Sequence, residues 1–247
     1  MKSGPWRRID VVEETGSTNA DLLARAAAGE DIDGAVLIAE SQTAGRGRHG
    51  RSWSTPPRSQ IALSAGIGVG AVPSEAWGWL PLLTGVAVVD ALAEVTAVKA
   101  GLKWPNDVLV GTGKLAGILA EVAAPEPVVV VGLGLNVTEA PDPVATSLSM
   151  LNVAVDRTVL AEAVLRHLAT RIDSWRTAAG ADAALAADYR ARSVTIGNRV
   201  RADLPGDRAV EGVASHVDEL GRLHIDTGAE PVTVSAGDIT HLRPISP

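Results

Sequence analysis

Residues 41–53 read SQTAGRGRHGRSW, and Arg46, Arg48, Arg51 and the nearby Arg58 fall within thirteen residues. No Asp or Glu occurs between Glu40 and Glu75, in a chain whose formal net charge is −7. The segment is therefore a local concentration of positive charge. Arginine grips phosphate and carboxylate oxygens through a planar fork of N–H donors. Gly45, Gly47 and Gly50 are set among the arginines, and glycine lets backbone N–H groups come close to a ligand. A merely solvated basic loop, the ordinary reading of a charge run, has no need of glycine at those three places. An anionic ligand fits better.

The same glycines match GxGxxG, so a dinucleotide fingerprint has to be tested. That fingerprint requires glycines that open a helix and an acid some twenty residues on for the ribose. Here the interior is arginine, Pro56 and Pro57 follow closely, and no acid occurs around residue 70. Gly113-Lys114 also fails as a P-loop, with no Gly at 108 and no Ser or Thr at 115. Phosphate or carboxylate is handled here by another device.

Four further segments carry polar or small residues in apolar surroundings. GSTN (16–19) precedes a helical pattern. KWPND (103–107) places an ammonium at the end of a strand, although a surface lysine before a turn is the commoner meaning of Lys-x-Pro. KLAGILAE (114–121) interrupts an apolar strand at Gly117, which marks either close approach by a ligand or a bulge. GLGLNV (132–137) leaves one strand face bare at two glycines and ends on the amide of Asn136. Asn136-Val137-Thr138 also has the form of a glycosylation sequon, which has no meaning in a cytoplasmic protein.

The elements that must position these residues are legible from periodicity and turn chemistry. Strands are expected at 9–12, 35–39, 61–69, 102–104, 108–110, 115–122 and 128–137. Helices are expected at 20–28, capped by Ser17 or Thr18 and stopped by Gly29, at 75–95, capped by Ser74 and kinked at Pro81, and at 158–177 and 181–192. Residues 43–58 and 141–149 read as loops. From about 193 the texture changes to five short strands separated by turn signals such as Pro205-Gly206-Asp207, the pattern of a small β barrel. The expected division is 1–192 and 193–247.

Composition narrows the classes. Lys plus Arg (22) against Asp plus Glu (29) argues against a general nucleic-acid binder. With no cysteine, disulfides, thiolate zinc sites and a cysteine nucleophile are excluded. Five scattered histidines without HExxH argue against a catalytic metal cage. The N-terminus has no apolar h-region, and residues 77–92 are interrupted by Gly78, Pro81, Thr84, Gly85 and Asp90, short of the ~20 clean residues of a membrane span. A cytoplasmic protein is expected. Aromatics are few (six Trp, one Tyr, no Phe), so Val, Leu, Ile and Ala must build the core.

In order, GSTN, GRGRHGRSW, KWPND, KLAGILAE and GLGLNV resemble the biotin–protein ligase family across its catalytic region, and the β tail resembles that family's C-terminal SH3-like barrel. The resemblance covers about residues 9–245. It implies an α+β fold: a mixed-sheet catalytic domain of the biotin/lipoate ligase type, followed by the barrel. It also implies an ATP-dependent ligase that makes biotinyl-5′-AMP and pyrophosphate, then transfers biotin to a lysine of a biotin carboxyl carrier domain of a biotin-dependent carboxylase. Ser17, Thr18, Asn19 and Gln42 would meet the ureido head of biotin. Arg46, Arg48 and Arg51 would supply charge, with Gly45 and Gly47 giving backbone contacts. Trp53 would pack on the apolar part of biotin and Gly117 would let the pocket floor approach it. Lys103 matches the active-site lysine and, with Arg48, is the catalytic expectation; Lys114 would lie near the phosphates and Asn136 on the nucleotide side. Mg²⁺ would accompany ATP, with protein ligands unassigned.

Some members of that family carry an N-terminal helix-turn-helix domain and bind DNA. Fewer than ten residues precede the first expected strand, and with the acidic balance no DNA binding is expected. Monomer and weak homodimer both stay open. The rivals are a lipoate–protein ligase, which also passes through an adenylate, a non-catalytic biotin sensor with little use for Lys103, and a basic-loop RNA binder short of aromatic platforms apart from Trp53.

Overall fold

The computed structural model describes residues 5–53, 56–70, 72–125, 127–140, 143–204, 208–235 and 238–241. The turn expected at Pro205-Gly206-Asp207, and residues 141 and 142 of the expected 141–149 loop, lie outside them.

Strand β1 (Arg8–Thr15), helix α1 (Thr18–Ala27) and strand β2 (Ala35–Gln42) form a parallel β–α–β unit. Ser17 caps α1 by accepting from the Ala20 backbone N–H at 3.4 Å, which satisfies one of the donors every helix start leaves open. Strands β3 (Gln60–Gly68), β4 (Gly101–Lys103), β5 (Asp107–Val110), β6 (Gly113–Val122) and β7 (Val128–Asn136) add antiparallel pairs. The result is a mixed seven-stranded sheet in the order β1-β2-β3-β7-β6-β5-β4.

One face of this sheet is covered by α2 (Trp79–Val95), α3 (Arg157–Thr177) and α4 (Ala183–Arg192). Asp156 and Asp182 cap α3 and α4. Twelve residues of α2 are buried, and each fully buried Val or Leu contributes roughly 1.5–3 kcal/mol. By length and mean hydropathy the segment Ser74–Val95 could pass for a membrane span, but 72% of its apolar window is buried in this core. The sequence expectation differs here in two respects. Residues Ser74–Gly78 form a 3₁₀ turn, and Ser74 Oγ donates to Glu75 rather than capping. Pro81 falls in the first turn of α2, directly after that 3₁₀ turn, where proline is best tolerated in a helix.

The tail folds into β8 (Arg199–Leu204), β9 (Arg208–Val217), β10 (Leu223–Asp226), β11 (Val232–Val234) and β12 (Asp238–His241). They form an all-antiparallel sheet ordered β11-β10-β9-β8-β12. Its buried residues Val200, Ala202, Leu223 and Ile225 are continuous with the core of the larger sheet. Two indoles fasten the join: Trp79 Nε1 donates to Asp218 O and Trp104 Nε1 to Gly221 O, each at 3.0 Å.

Candidate active site

The opposite face of the sheet, beside the start of α1, floors a cleft of about 980 Å³. The pairing register arranges that floor in rows. Ser64, Gly132 and Leu119 form one row, Ala62, Gly134 and Gly117 the next, and Gln60 with Asn136 a third. Paired residues point to the same side of a sheet, so glycines at 132, 134 and 117 hollow it out. The hollow is filled from the loop and from α1. A Cβ at Gly132 would collide with the Asn19 amide, and one at Gly134 would come within 2.5 Å of the Trp53 indole. At Gly117 it would stand 3.1 Å from Trp53 and from Lys114.

Polar groups gather at one end. The Thr18 backbone N–H and hydroxyl both donate to Gln42 Oε1, at 2.9 and 3.1 Å. Ser64 Oγ lies 2.7 Å from Thr18 Oγ1 and 2.6 Å from Asn19 Oδ1. Asn19 Nδ2 donates to Leu119 O at 3.2 Å and to Glu121 Oε2 at 2.9 Å. These side chains are held in one orientation before any ligand arrives.

The arginine loop is a tight hairpin over the floor. Trp53 N–H donates to Gly45 O at 2.8 Å and Gly47 N–H to Arg51 O at 2.7 Å. The turn between passes through His49 and Gly50, both at positive φ (55° and 72°). A Cβ at Gly45 would strike the Trp53 carbonyl, so this glycine permits the hairpin to close. It does not line the cleft. Arg46 pairs with Glu121 at 2.6 Å, and Arg48 donates to Asn106 Oδ1 at 3.3 Å. Trp53 Nε1 donates to Gln60 Oε1 at 2.6 Å. Lys114 Nζ lies 5.4 Å from the centroid of the Trp53 ring and 2.7 Å from Asp107 Oδ1.

Lys103 closes the far end, joined by Asp203, Thr240 and His241 from the small sheet. His241 is tied to Thr195 Oγ1 at 3.2 Å, and the same oxygen accepts from the Trp104 N–H. Burial, helped by the charge of Lys103, holds the His241 imidazole below its usual pKa. Among described lining residues, five cations (Arg46, Arg48, Arg51, Lys103, Lys114) face two carboxylates, Asp107 and Asp203. A cleft of that balance attracts polyanions.

Of the expected site residues, Ser17, Thr18, Asn19, Gln42, Arg46, Gly47, Arg48, Arg51, Trp53, Lys103, Lys114 and Gly117 all line this cleft. Gly45 and Asn136 do not. Asn136 lies on the same sheet face, but residues 144–146 cover it and its Nδ2 donates to Thr146 O at 3.0 Å, with Lys114 O at 3.4 Å. These bonds set the Asn136 amide behind the wall of the cleft. Asn106, Asp107, Glu121, Ser64 and Gln60 were not foreseen. The first three lie inside segments already marked by their motifs; Ser64 and Gln60 carry no signal beyond being polar in an apolar strand.

Fold and cleft are those of the biotin/lipoate ligase class. Residues 13–137 match the family model described as biotin/lipoate A/B protein ligase family, and residues 195–242 the biotin protein ligase C-terminal domain. The chain belongs to this family. It is 60% identical to the biotin–[acetyl-CoA-carboxylase] ligase of Mycobacterium tuberculosis over 96% of this chain and 90% of that one. It is 30% identical to the bifunctional ligase/repressor BirA of Escherichia coli K12, over 88% of this chain and 69% of that one. Among solved structures it resembles the Aquifex aeolicus biotin protein ligase in complex with biotin and ATP, with TM-score 0.81 and 25% identity, over 96% and 100% of the two chains.

Proposed function

We propose that this chain joins biotin to ATP, releases pyrophosphate, and passes biotin from biotinyl-5′-AMP to a lysine of a biotin carboxyl carrier domain in the cytoplasm. The observation that carries this reading is the cleft: a preset polar end, an indole-covered apolar middle and a cationic far end, in one continuous hollow. Biotin has the same sequence of properties, a ureido head, an apolar ring and chain, and a carboxylate that must meet a triphosphate. We read 1–192 as the unit that binds both substrates and 193–247 as the barrel that completes the cleft with Asp203, Thr240 and His241.

The chemistry follows from charge. The biotin carboxylate attacks the α-phosphorus, a C–O–P linkage forms, and the bond to pyrophosphate breaks. Two anions must approach, and in a water-poor cleft their repulsion is large. Lys103 and Arg48 are the side chains assigned to offset it and to stabilise charge growing on the phosphate oxygens; Arg46, Arg51 and Lys114 add to the same field. In the second step the acceptor amine attacks the carbonyl carbon and AMP leaves. No protein nucleophile is required. What the protein must supply is exclusion of water from the anhydride, a task suited to the hairpin of residues 45–53.

The described residues include no group of three or more His, Cys, Asp or Glu able to form a metal cage. Mg²⁺ held mainly by phosphate oxygens and water needs only one or two protein carboxylates, and Asp107 in the cleft fits that need. The ion would neutralise phosphate charge when bound.

Biotin-dependent exchange of labelled pyrophosphate into ATP, with no carrier present, tests the proposal. Exchange with biotin and none with lipoate is the expected result. Binding of biotin without exchange would turn the reading into that of a sensor.

A further inference from the structure

His241 sits where three segments meet. It ends β12 opposite Val200 of β8, on the face of the small sheet that buries Val200, Ala202 and Ile239. The connector from α4 to β8 runs beside β4, with Val194 N–H donating to Leu102 O at 2.8 Å. It sets the wholly buried Thr195 between the Trp104 backbone and the His241 ring. A hydroxyl has one proton to give and two lone pairs to fill. Thr195 Oγ1 accepts from the Trp104 N–H at 3.1 Å, and its other partner among the described residues is His241 Nε2 at 3.2 Å. If Nε2 carried a proton, two donors would point at one oxygen and the hydroxyl proton would be buried with no acceptor, a costly arrangement. The hydroxyl therefore donates to Nε2, and the neutral ring holds its own proton on Nδ1. Burial, with the charge of Lys103 adding to it, keeps the imidazole below its usual pKa and so favours the neutral form. Among the described residues Nδ1 has no partner, and the ring lines the cleft beside Lys103.

We propose that His241 is a further binding residue of the cleft: an uncharged Nδ1–H donor, fixed in that tautomer by Thr195, that takes a phosphate oxygen of the nucleotide beside Lys103. The cationic end of the cleft is where an anion settles, and an N–H donor completes what an ammonium begins. An imidazolium there would be repelled by Lys103, whereas a neutral N–H adds a directed bond without adding charge. The same tautomer excludes a role as proton acceptor, since Nδ1 is already protonated and Nε2 is committed to Thr195. Thr195 is the positioning residue, because it acts on the ligand only through the imidazole. Naming the nucleotide rests on the substrate reading above; the tautomer stands without it.

Two arms test it, and the first uses no ligand. In long-range proton–nitrogen spectra of the labelled wild-type protein near neutral pH, the five histidines are sorted by the signal that His241→Phe removes. His241 should show a protonated Nδ1 and an unprotonated Nε2, the minor tautomer of free histidine. A protonated Nε2, alone or together with Nδ1, overturns the inference. Thr195→Ser keeps the hydroxyl and should keep this pattern. Thr195→Val should return the ring toward the Nε2–H form; it also strips the Trp104 N–H of its acceptor, so wild type and the serine variant decide if it does not fold. The second arm compares calorimetric Kd values for a non-hydrolysable ATP analogue, adenosine and biotin. His241→Phe should weaken the analogue about tenfold or more, the net contribution of a hydrogen bond to a charged group, and leave adenosine and biotin unchanged. His241→Asn, whose amide nitrogen can stand near the place of Nδ1, should recover part of the loss; a barrel that was merely loosened would gain nothing from it. Equal weakening of adenosine and the analogue, or no weakening of either, overturns the phosphate contact. A wild-type protein that binds no nucleotide defeats the substrate reading and the contact together, and leaves the spectrum to decide the tautomer.

Discussion

Lys103 ends a three-residue strand, and the following Trp104 is anchored at both its backbone N–H and its indole. An ammonium on so short and well-tied a segment has little freedom to wander, which is the condition for stabilising a transition state without reorganisation. Lys103→Ala should therefore lower pyrophosphate exchange by roughly a hundredfold or more, about 3 kcal/mol of barrier, with little change in thermal stability because the side chain faces the cleft. Near-normal exchange in that variant would remove Lys103 from the chemistry. Residues of this kind were readable from sequence because charge and glycine spacing are local signals. The tie of Asn136 to Thr146, ten residues on, was not legible by the same reasoning, because no local signal says that residues 144–146 fold back over the strand end. Gly45 was read only as a ligand contact, and its need for room beside the Trp53 carbonyl, which lets the hairpin close, was not legible. A bare glycine in a sequence does not say which neighbour needs the room.

Elements came through well where periodicity is long, as in α3, and less well where a single residue decides an end. Ser74 carried the standard meaning of a cap, but a 3₁₀ turn over Ser74–Gly78 stands ahead of α2, which starts at Trp79. The turn between β9 and β10 had no sequence signal for its importance. Asp218 there is buried, which pushes its carboxyl up, but bonds from His224, Arg222 and the backbone N–H groups of Arg222 and Leu220 outweigh burial and hold it below the usual range. That turn presents the Asp218 and Gly221 carbonyls to Trp79 and Trp104. A group with a lowered folded-state pKa contributes stability above its unfolded value of 3.8 and loses it as pH falls through the folded one. Asp218→Asn should accordingly cost about 2 kcal/mol at neutral pH, and wild type and variant should converge below pH 3.8. Parallel melting curves across that range would show that the turn is held by something else.

Across the whole molecule the small sheet is less a separate appendage than a wall of the same cleft. Its buried residues share one apolar core with α2 and the large sheet, and Ile239, Thr240 and His241 reach the cleft beside Lys103. Ending the chain at residue 192 would remove the acceptors of two indole N–H groups and uncover Trp79 and Trp104, now 1–2% exposed. Losing each hydrogen bond costs about 0.5–1.5 kcal/mol, losing the burial of each large side chain costs about 1.5–3 kcal/mol or more, and bare aromatic surface adds a drive to aggregate. These losses approach the whole stability of a typical domain. The expected outcome is that residues 1–192 are recovered aggregated or melt far below the full chain, and that the full chain unfolds in one transition by calorimetry. A truncated chain that stays monomeric and exchanges pyrophosphate at the full rate would mean that the cleft is complete without β12. The proposed part of His241 and Asp203 in it would then fall with the barrel's.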